Sequence, residues 1–267
     1  MQNLSVLSWN VQGKVNITGH TLFKKIKPHL INLSSDIIAL QEMCNAERML
    51  GKIGTLKAYN IFIPELNKGR HNGIPRFNHN VLLSKYPILR ADEIIFPSWN
   101  RKIPLENGIR ADIQLNNKVL RIYNCHFAIF KVGIGTRLKQ LEYILSDSRG
   151  HKGPTIICGD MNVAIPKAGF RRKIITGWHR EPKREMSVNG KFIDYDEREI
   201  FNETISQHGF EEVLDLYTPT WSPLKSKHWE LFKLKLDWFM VKNLEVTDIK
   251  LGDYVSDHRS IEVRCNL

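Results

Sequence analysis

Short apolar runs rich in valine, isoleucine and leucine recur along the chain, and a polar residue closes many of them. Runs of this length read as buried strands. Leu4–Trp9, Ile37–Leu40, Tyr59–Ile63, Val81–Ser84, Ile94–Phe96, Ile109–Leu115, Val119–His126, Thr155–Cys158, Leu236–Val241, Val246–Leu251 and Ile261–Arg264 fit that pattern. Pro87 marks a turn between two of them, and Asn116-Asn117 predicts a tight hairpin because asparagine tolerates positive φ. Helical spacing replaces alternation over His20–Leu33 (Leu22, Phe23, Ile26, Leu30, Leu33) and Gly135–Leu145 (Leu138, Leu141, Ile144, Leu145). Arg198–His208 reads as a further helix. Strands outnumber helices, so two sheets packed face to face with helices outside satisfy the pattern. The linear order alone would also permit a doubly wound sheet. Nothing resembles a linker or a repeat, and residues 1–267 read as one α/β domain.

The residues that close the apolar runs are the informative ones. Asn10 follows LSVLSW, Glu42 follows DIIALQ, His126 follows VLRIYNC, and Asp160 and Asn162 follow PTIICG. Asp237 sits between KLKL and WFMV, and Asp257-His258 follows GDYVS. Polar groups at strand ends can converge on one rim of a sheet without entering its core. Glu42 at the end of an apolar strand suits a hard cation such as Mg²⁺, or a structural ion pair. Asn10 can give that cation a neutral oxygen or donate to phosphate; alternatively it closes a turn. Adjacent strand residues face opposite ways, so Asp257 and His258 are expected to do different jobs. A histidine acting as a base needs an orienting acceptor, and Asp237 is the natural partner. The alternative pairs Asp237 with a backbone amide. Asp160 and Asn162, two apart, would share a direction in extended chain, unless they form an Asx-turn. His126 reads as a catalyst or as a satisfied core histidine, and Arg110 as a phosphate contact or a surface ion pair.

Charge and cysteines change the picture in different degrees. The 39 Lys and Arg residues outnumber 28 Asp and Glu, a formal net charge of +11 that favours a polyanionic substrate or surface. Pro166–Glu199 has weak periodicity and carries Arg171, Arg172, Lys173, Lys183 and Arg184 with Trp178. Cations for phosphate and a ring for stacking suit a nucleic-acid contact; a solvated charged loop is the alternative. Cys44, Cys125, Cys158 and Cys265 have no metal-type spacing and read as free thiols, with a Cys125–Cys158 disulfide as the lesser option. No segment approaches the ~20 apolar residues of a membrane span, and no secretory leader is visible. The expectation is a soluble intracellular protein.

Taken in order, LSWNVQG, DIIALQEM, NVLLSKYPI, IRADI, RIYNCHF, IICGDMNVA, LDWFMV and SDHRSIEV resemble the endonuclease/exonuclease/phosphatase superfamily of DNase-I-like metal-dependent phosphodiesterases. The resemblance implies a four-layered α/β sandwich, with two mixed sheets inside and helices outside. It implies Glu42 as the principal Mg²⁺ ligand, with Asn10 beside it, Asp257 as a further acidic contact and Mn²⁺ as a substitute ion. His258 held by Asp237 would activate water or stabilise the transition state. Asp160 would assist water activation, Asn162 would bind a phosphate oxygen, and His126 would protonate the leaving group or contact phosphate. Asn80 and Arg110 match positions that orient these groups.

His126 resembles the DNase I and neutral sphingomyelinase branches more than the abasic-site endonucleases, although GDMNVA is similar to the latter. The expected activity is Mg²⁺-dependent phosphodiester hydrolysis in DNA or RNA, with Arg171, Arg172 and Trp178 on the substrate. A lipid or small-molecule phosphodiesterase is the alternative. It would use the apolar segment His126–Ile134 to dock on membrane lipid. Nothing in the sequence points to a protein partner.

Overall fold

The computed structural model describes residues 3–12, 20–44, 46–51, 53–64, 69–71, 74–76, 78–96, 107–129, 134–164, 187–188, 191–192, 196–223 and 233–267. The strands are β1 (Asn3–Asn10), β2 (Ile37–Cys44), β3 (Asn60–Phe62), β4 (Gly69–His71), β5 (Ile74–Arg76), β6 (Asn78–Ser84), β7 (Ile88–Ile95), β8 (Asn107–Leu115), β9 (Lys118–His126), β10 (Thr155–Asp160), β11 (Ser187–Val188), β12 (Lys191–Phe192), β13 (Glu211–Glu212), β14 (Asp237–Lys242), β15 (Glu245–Leu251) and β16 (Ile261–Asn266). The helices are α1 (His20–Ile31), α2 (Ala46–Leu50), α3 (Ile134–Ser148) and α4 (Glu197–Ser206).

Two six-stranded sheets form the centre, ordered β15-β16-β1-β2-β6-β3 and β13-β14-β10-β9-β8-β7. Each is mixed, because β1 runs parallel to β2 and β10 parallel to β9 while their other neighbours are antiparallel. Strand alternation explains the layering. Leu4 and Val6 of β1, Ile37 and Ala39 of β2, Leu120 and Ile122 of β9, and Ile156 and Cys158 of β10 fill one core between the sheets. Their alternating neighbours face outward. Leu7, Trp9, Ile38 and Leu40 pack with Ile26 and Leu30 of α1. Tyr123, Ile157, Trp238 and Met240 pack with Leu141, Ile144 and Leu145 of α3 and with Phe201 and Ile205 of α4. The result is the four-layered sandwich, and the doubly wound alternative is excluded.

The β8–β9 hairpin turns at Asn116, whose φ is +47°, with Leu115 paired to Lys118. Cys125 and Cys158 are free and buried, not bridged. Cys125 belongs to the outward row and Cys158 to the inward one, so adjacent strands send the two sulfurs to opposite faces. Asp257 and His258 do not lie within a strand as expected; Asp257 is in a bend before β16 and His258 makes an isolated antiparallel bridge to Trp221. Among the described residues, no helix is long and apolar enough to cross a membrane.

Candidate active site

The inward rows that fill the inter-sheet core turn polar at one end. Leu4, Val6, Ser8 and Asn10 form one such row, and Ile122, Asn124 and His126 another. Cys158 and Asp160, and Phe239 and Asp237, complete the set. Paired strands bring these ends together: Asp160 lies opposite His126 on one side and Asp237 on the other. Gly159 permits the approach, with φ at +131°; a Cβ there would sit 2.0 Å from the Cys125 carbonyl oxygen.

Asp160 stands at the centre. Its Oδ2 accepts the Asn10 amide at 2.9 Å and lies 3.8 Å from His126 Nε2 and 3.7 Å from His258 Nε2. Its Oδ1 accepts the backbone N–H of Asn162 at 2.9 Å. One oxygen thus closes an Asx-turn and the other faces the rim. Asn162 has φ at +52°, and its amide donates to the Phe127 carbonyl at 3.0 Å, so its observed bonds shape the loop. Glu42 Oε1 lies 3.7 Å from His126 Nε2 and 3.4 Å from the Asn10 amide nitrogen. Asn10 turns its Oδ1 to the N–H of Gln12, so its nitrogen, not its oxygen, meets the carboxylates.

His258 is held from behind. Its Nδ1 is 2.8 Å from Asp237 Oδ2 in a buried pair, which puts the proton on Nδ1. Asp237 is itself fixed, since Thr220 Oγ1 accepts the N–H groups of Leu236 and Asp237 at 3.0 and 2.9 Å. Ser256 accepts the His258 N–H at 2.9 Å and donates to the Asn10 carbonyl at 2.8 Å, joining β1 to the bend. Asp257 lies 3.9 Å from His258 Nε2, and its Oδ2 accepts from Gln12 Nε2 at 2.5 Å and Trp221 Nε1 at 3.2 Å.

Burial and charge act against each other here. Burial raises the Asp160 pKa to about 6, with Asp237 and Glu42 adding to the rise and both histidines opposing it. Burial would lower His258, but the carboxylates of Asp237, Asp160 and Asp257 raise it to about 10. A divalent cation beside Asp160 would pull both down.

The donor set fits such a cation. Ligand atoms of Glu42, His126 and Asp160 lie within 4.8 Å of one another, as do those of Asp160, Asp237 and His258. Two carboxylates converging on a single neutral amide form an electron-rich cradle that a hard cation satisfies. Asp257, expected as a further acidic contact of the ion, has its Oδ1 3.9 Å from His258 Nε2.

Of the remaining expected substrate contacts, Arg110 and Asn80 are among the described residues. Arg110 alternates with the inward-facing Ile109 and Ala111, so it points outward and binds Asp92 at 2.6 Å and Asp147 at 2.8 Å. Asn80 is buried and donates to the Asn107 carbonyl at 2.7 Å. Arg171, Arg172 and Trp178 lie outside the described residues. Phe127 and Ala128, the start of the apolar segment considered for membrane docking, are buried, with Phe127 edge-on to Phe96. Gln12, Thr220 and Trp221 escaped the sequence reading; a Thr-Trp pair after a proline signals only a turn.

The family model described as endonuclease/exonuclease/phosphatase matches residues 7–258. The chain belongs to that family. Its members are hydrolases of phosphoester bonds that generally use divalent metals. A search of curated proteins finds no match. Among solved structures, an endonuclease/exonuclease/phosphatase from Beutenbergia cavernae aligns over 100% of this chain and 72% of its own, with a TM-score of 0.70 and 13% identity. D. rerio TDP2 complexed with a single-strand DNA product aligns over 100% of both chains, with a TM-score of 0.64 and 18% identity. ANGEL2, a 2′,3′-cyclic phosphatase, aligns over 98% and 95%, with a TM-score of 0.63 and 14% identity. At these identities the likeness is one of fold.

Proposed function

We propose that this protein is a Mg²⁺-dependent phosphodiester hydrolase acting on nucleic acid, with residues 1–267 forming one catalytic unit. The observation that carries the reading is the buried His258–Asp237 pair, which aims Nε2 at a second carboxylate, Asp160, 3.7 Å away. Glu42 and Asp160, with Asn10 beside them, would hold the ion; Mn²⁺ would substitute. When bound, the cation supplies Lewis-acid stabilisation of charge on the phosphate and a template for its oxygens.

The chain's own residues do the rest. Asp160 takes a proton from the attacking water, through the Oδ2 that faces the rim between His126 and His258. His258 donates from Nε2 to a non-bridging phosphate oxygen as negative charge builds there, while Asp237 holds the imidazolium through Nδ1. His126, a fifth exposed, is reachable by substrate and protonates the leaving oxygen. Asp257, between Gln12 and Trp221, helps to keep His258 positively charged. Asn162 acts by shaping the loop after β10.

The net charge of +11 supports a polyanionic substrate. A fold relative crystallised with a single-strand DNA product points the same way. The test is incubation with plasmid, single-stranded DNA, RNA and phospholipid vesicles, each with Mg²⁺ and with chelator. Chelator-sensitive cleavage of a nucleic acid is expected; turnover of lipid alone would overturn the reading.

A further inference from the structure

Glu42 reaches the rim only because β2 is irregular. Leu40 packs outward against the α1 layer and Gln41 points inward. Regular alternation would send Glu42 outward and Met43 inward. Met43 instead joins Leu40 in the outward cluster. The β2–β6 pairing runs Leu40 to Val81 and resumes at Met43 to His79, leaving Gln41 and Glu42 opposite Asn80 alone. This is a β-bulge, and Glu42 has left-handed φ at +54°. A carboxylate that regular alternation would aim into the α1 layer is thereby turned to the rim.

The bulge is braced from the facing sheet. Asn124 of β9 is completely buried in the inter-sheet core. Its Nδ2 donates to the Leu40 carbonyl at 3.0 Å and the Val81 carbonyl at 2.9 Å, the two residues of the last regular rung before the bulge. Its Oδ1 accepts from Gln41 Nε2 at 2.7 Å, inside the bulge itself. Gln41 also reaches Ser8 Oγ on β1 at 3.2 Å. One amide therefore binds both sides of the rung and the bulged residue. Without it, two buried carbonyls would lack this donor, and relaxing the bulge would be the way to recover bonds.

We propose that Asn124, seconded by Gln41, is a positioning residue that fixes the bulge and so the metal-binding carboxylate of Glu42. The proposal rests on the metal-hydrolase reading. It says more than that the two amides join the sheets: loss of the brace weakens the ion's site beyond any loss of stability.

The test uses the whole protein with MgCl₂ alone, measuring Mg²⁺ affinity by calorimetry and the Mg²⁺-induced rise in Tm. Asn124→Ala and Gln41→Met are expected to weaken Mg²⁺ binding by about ten- to a hundredfold, the usual range for partners behind metal ligands. Ile122→Val, two residues earlier on the same inward row, is expected to lower Tm while keeping Mg²⁺ affinity within about twofold. Turnover by folded Asn124→Ala should recover at high Mg²⁺. Should Asn124→Ala fail to fold, Gln41→Met and Asn124→Ser carry the same expectation. Brace variants that bind Mg²⁺ as wild type does would overturn the proposal, as would equal weakening in Ile122→Val. Absence of Mg²⁺ binding in the wild type would instead overturn the metal reading beneath it.

Discussion

Replacing Asp237 with asparagine removes one charge and almost nothing else. The backbone N–H of residue 237 keeps its bond to Thr220, and the side chain keeps its size, so the amide stays opposite His258 Nδ1. Two things change. The imidazolium loses the carboxylate that favours it, so the His258 pKa falls from about 10 towards the ordinary histidine range. The amide can also donate to Nδ1, which would move the ring proton to Nε2 and misassign the tautomer. A misheld acid–base group costs about 10²- to 10⁴-fold in rate, equivalent to about 3–5.5 kcal/mol of barrier. The assay is Mg²⁺-dependent turnover of the preferred nucleic acid, alongside the NMR titration of His258. The sign of the stability effect also follows. A raised histidine pKa contributes stability that is complete below about 6.5 and lost as pH rises through about 10. The variant should therefore lose Tm at neutral pH and less at high pH. Wild-type turnover with a lowered His258 pKa would refute the reasoning.

Gly159→Ala should cost about 3 kcal/mol in urea denaturation, because its Cβ would meet the Cys125 carbonyl at 2.0 Å in a backbone with φ +131°. Thr220→Val strips the acceptor from two backbone amides and should cost about 1–3 kcal/mol while slowing turnover; an unchanged rate would separate Thr220 from the site. Burial pushes Asp112 up, yet the guanidinium of Arg121, at 2.7 Å, holds it below its ordinary value. The stability this adds is present above the ordinary carboxylate range and lost as pH falls through the lowered pKa. Arg121→Gln should thus lower Tm at pH 7, with the gap to wild type shrinking as pH falls below the ordinary carboxylate range.

The fold was legible where alternation is regular. The hairpin at Asn116, the rows of β9 and β10 and the two sheets follow from apolar runs and their turns. The site was legible because each inward row that ends polar announces itself as a polar residue after an apolar run. What failed shares one cause: side-chain direction depends on register, which local composition does not state. The alternation of Arg110 with Ile109 and Ala111 places it outward, and a plausible charge outweighed that signal. Conversely, alternation in LQEM sends Glu42 outward, and only the bulge against β6 returns it to the rim. Asn124 read as one more strand residue, since its partners Leu40 and Val81 are set by the packing of sheet on sheet. Thr220 and Trp221 serve Asp237 and Asp257 across the fold, with no local mark of either duty.

The central claim is that Glu42 and Asp160 bind a catalytic divalent cation beside His258. The direct measurement is the rate of nucleic-acid cleavage by wild type and Glu42→Ala, each with Mg²⁺ and with chelator. The account predicts cleavage by the wild type that chelator abolishes and added Mg²⁺ restores, and a folded Glu42→Ala slower by orders of magnitude. Cleavage that persists in chelator, or a Glu42→Ala protein as fast as wild type, would contradict it.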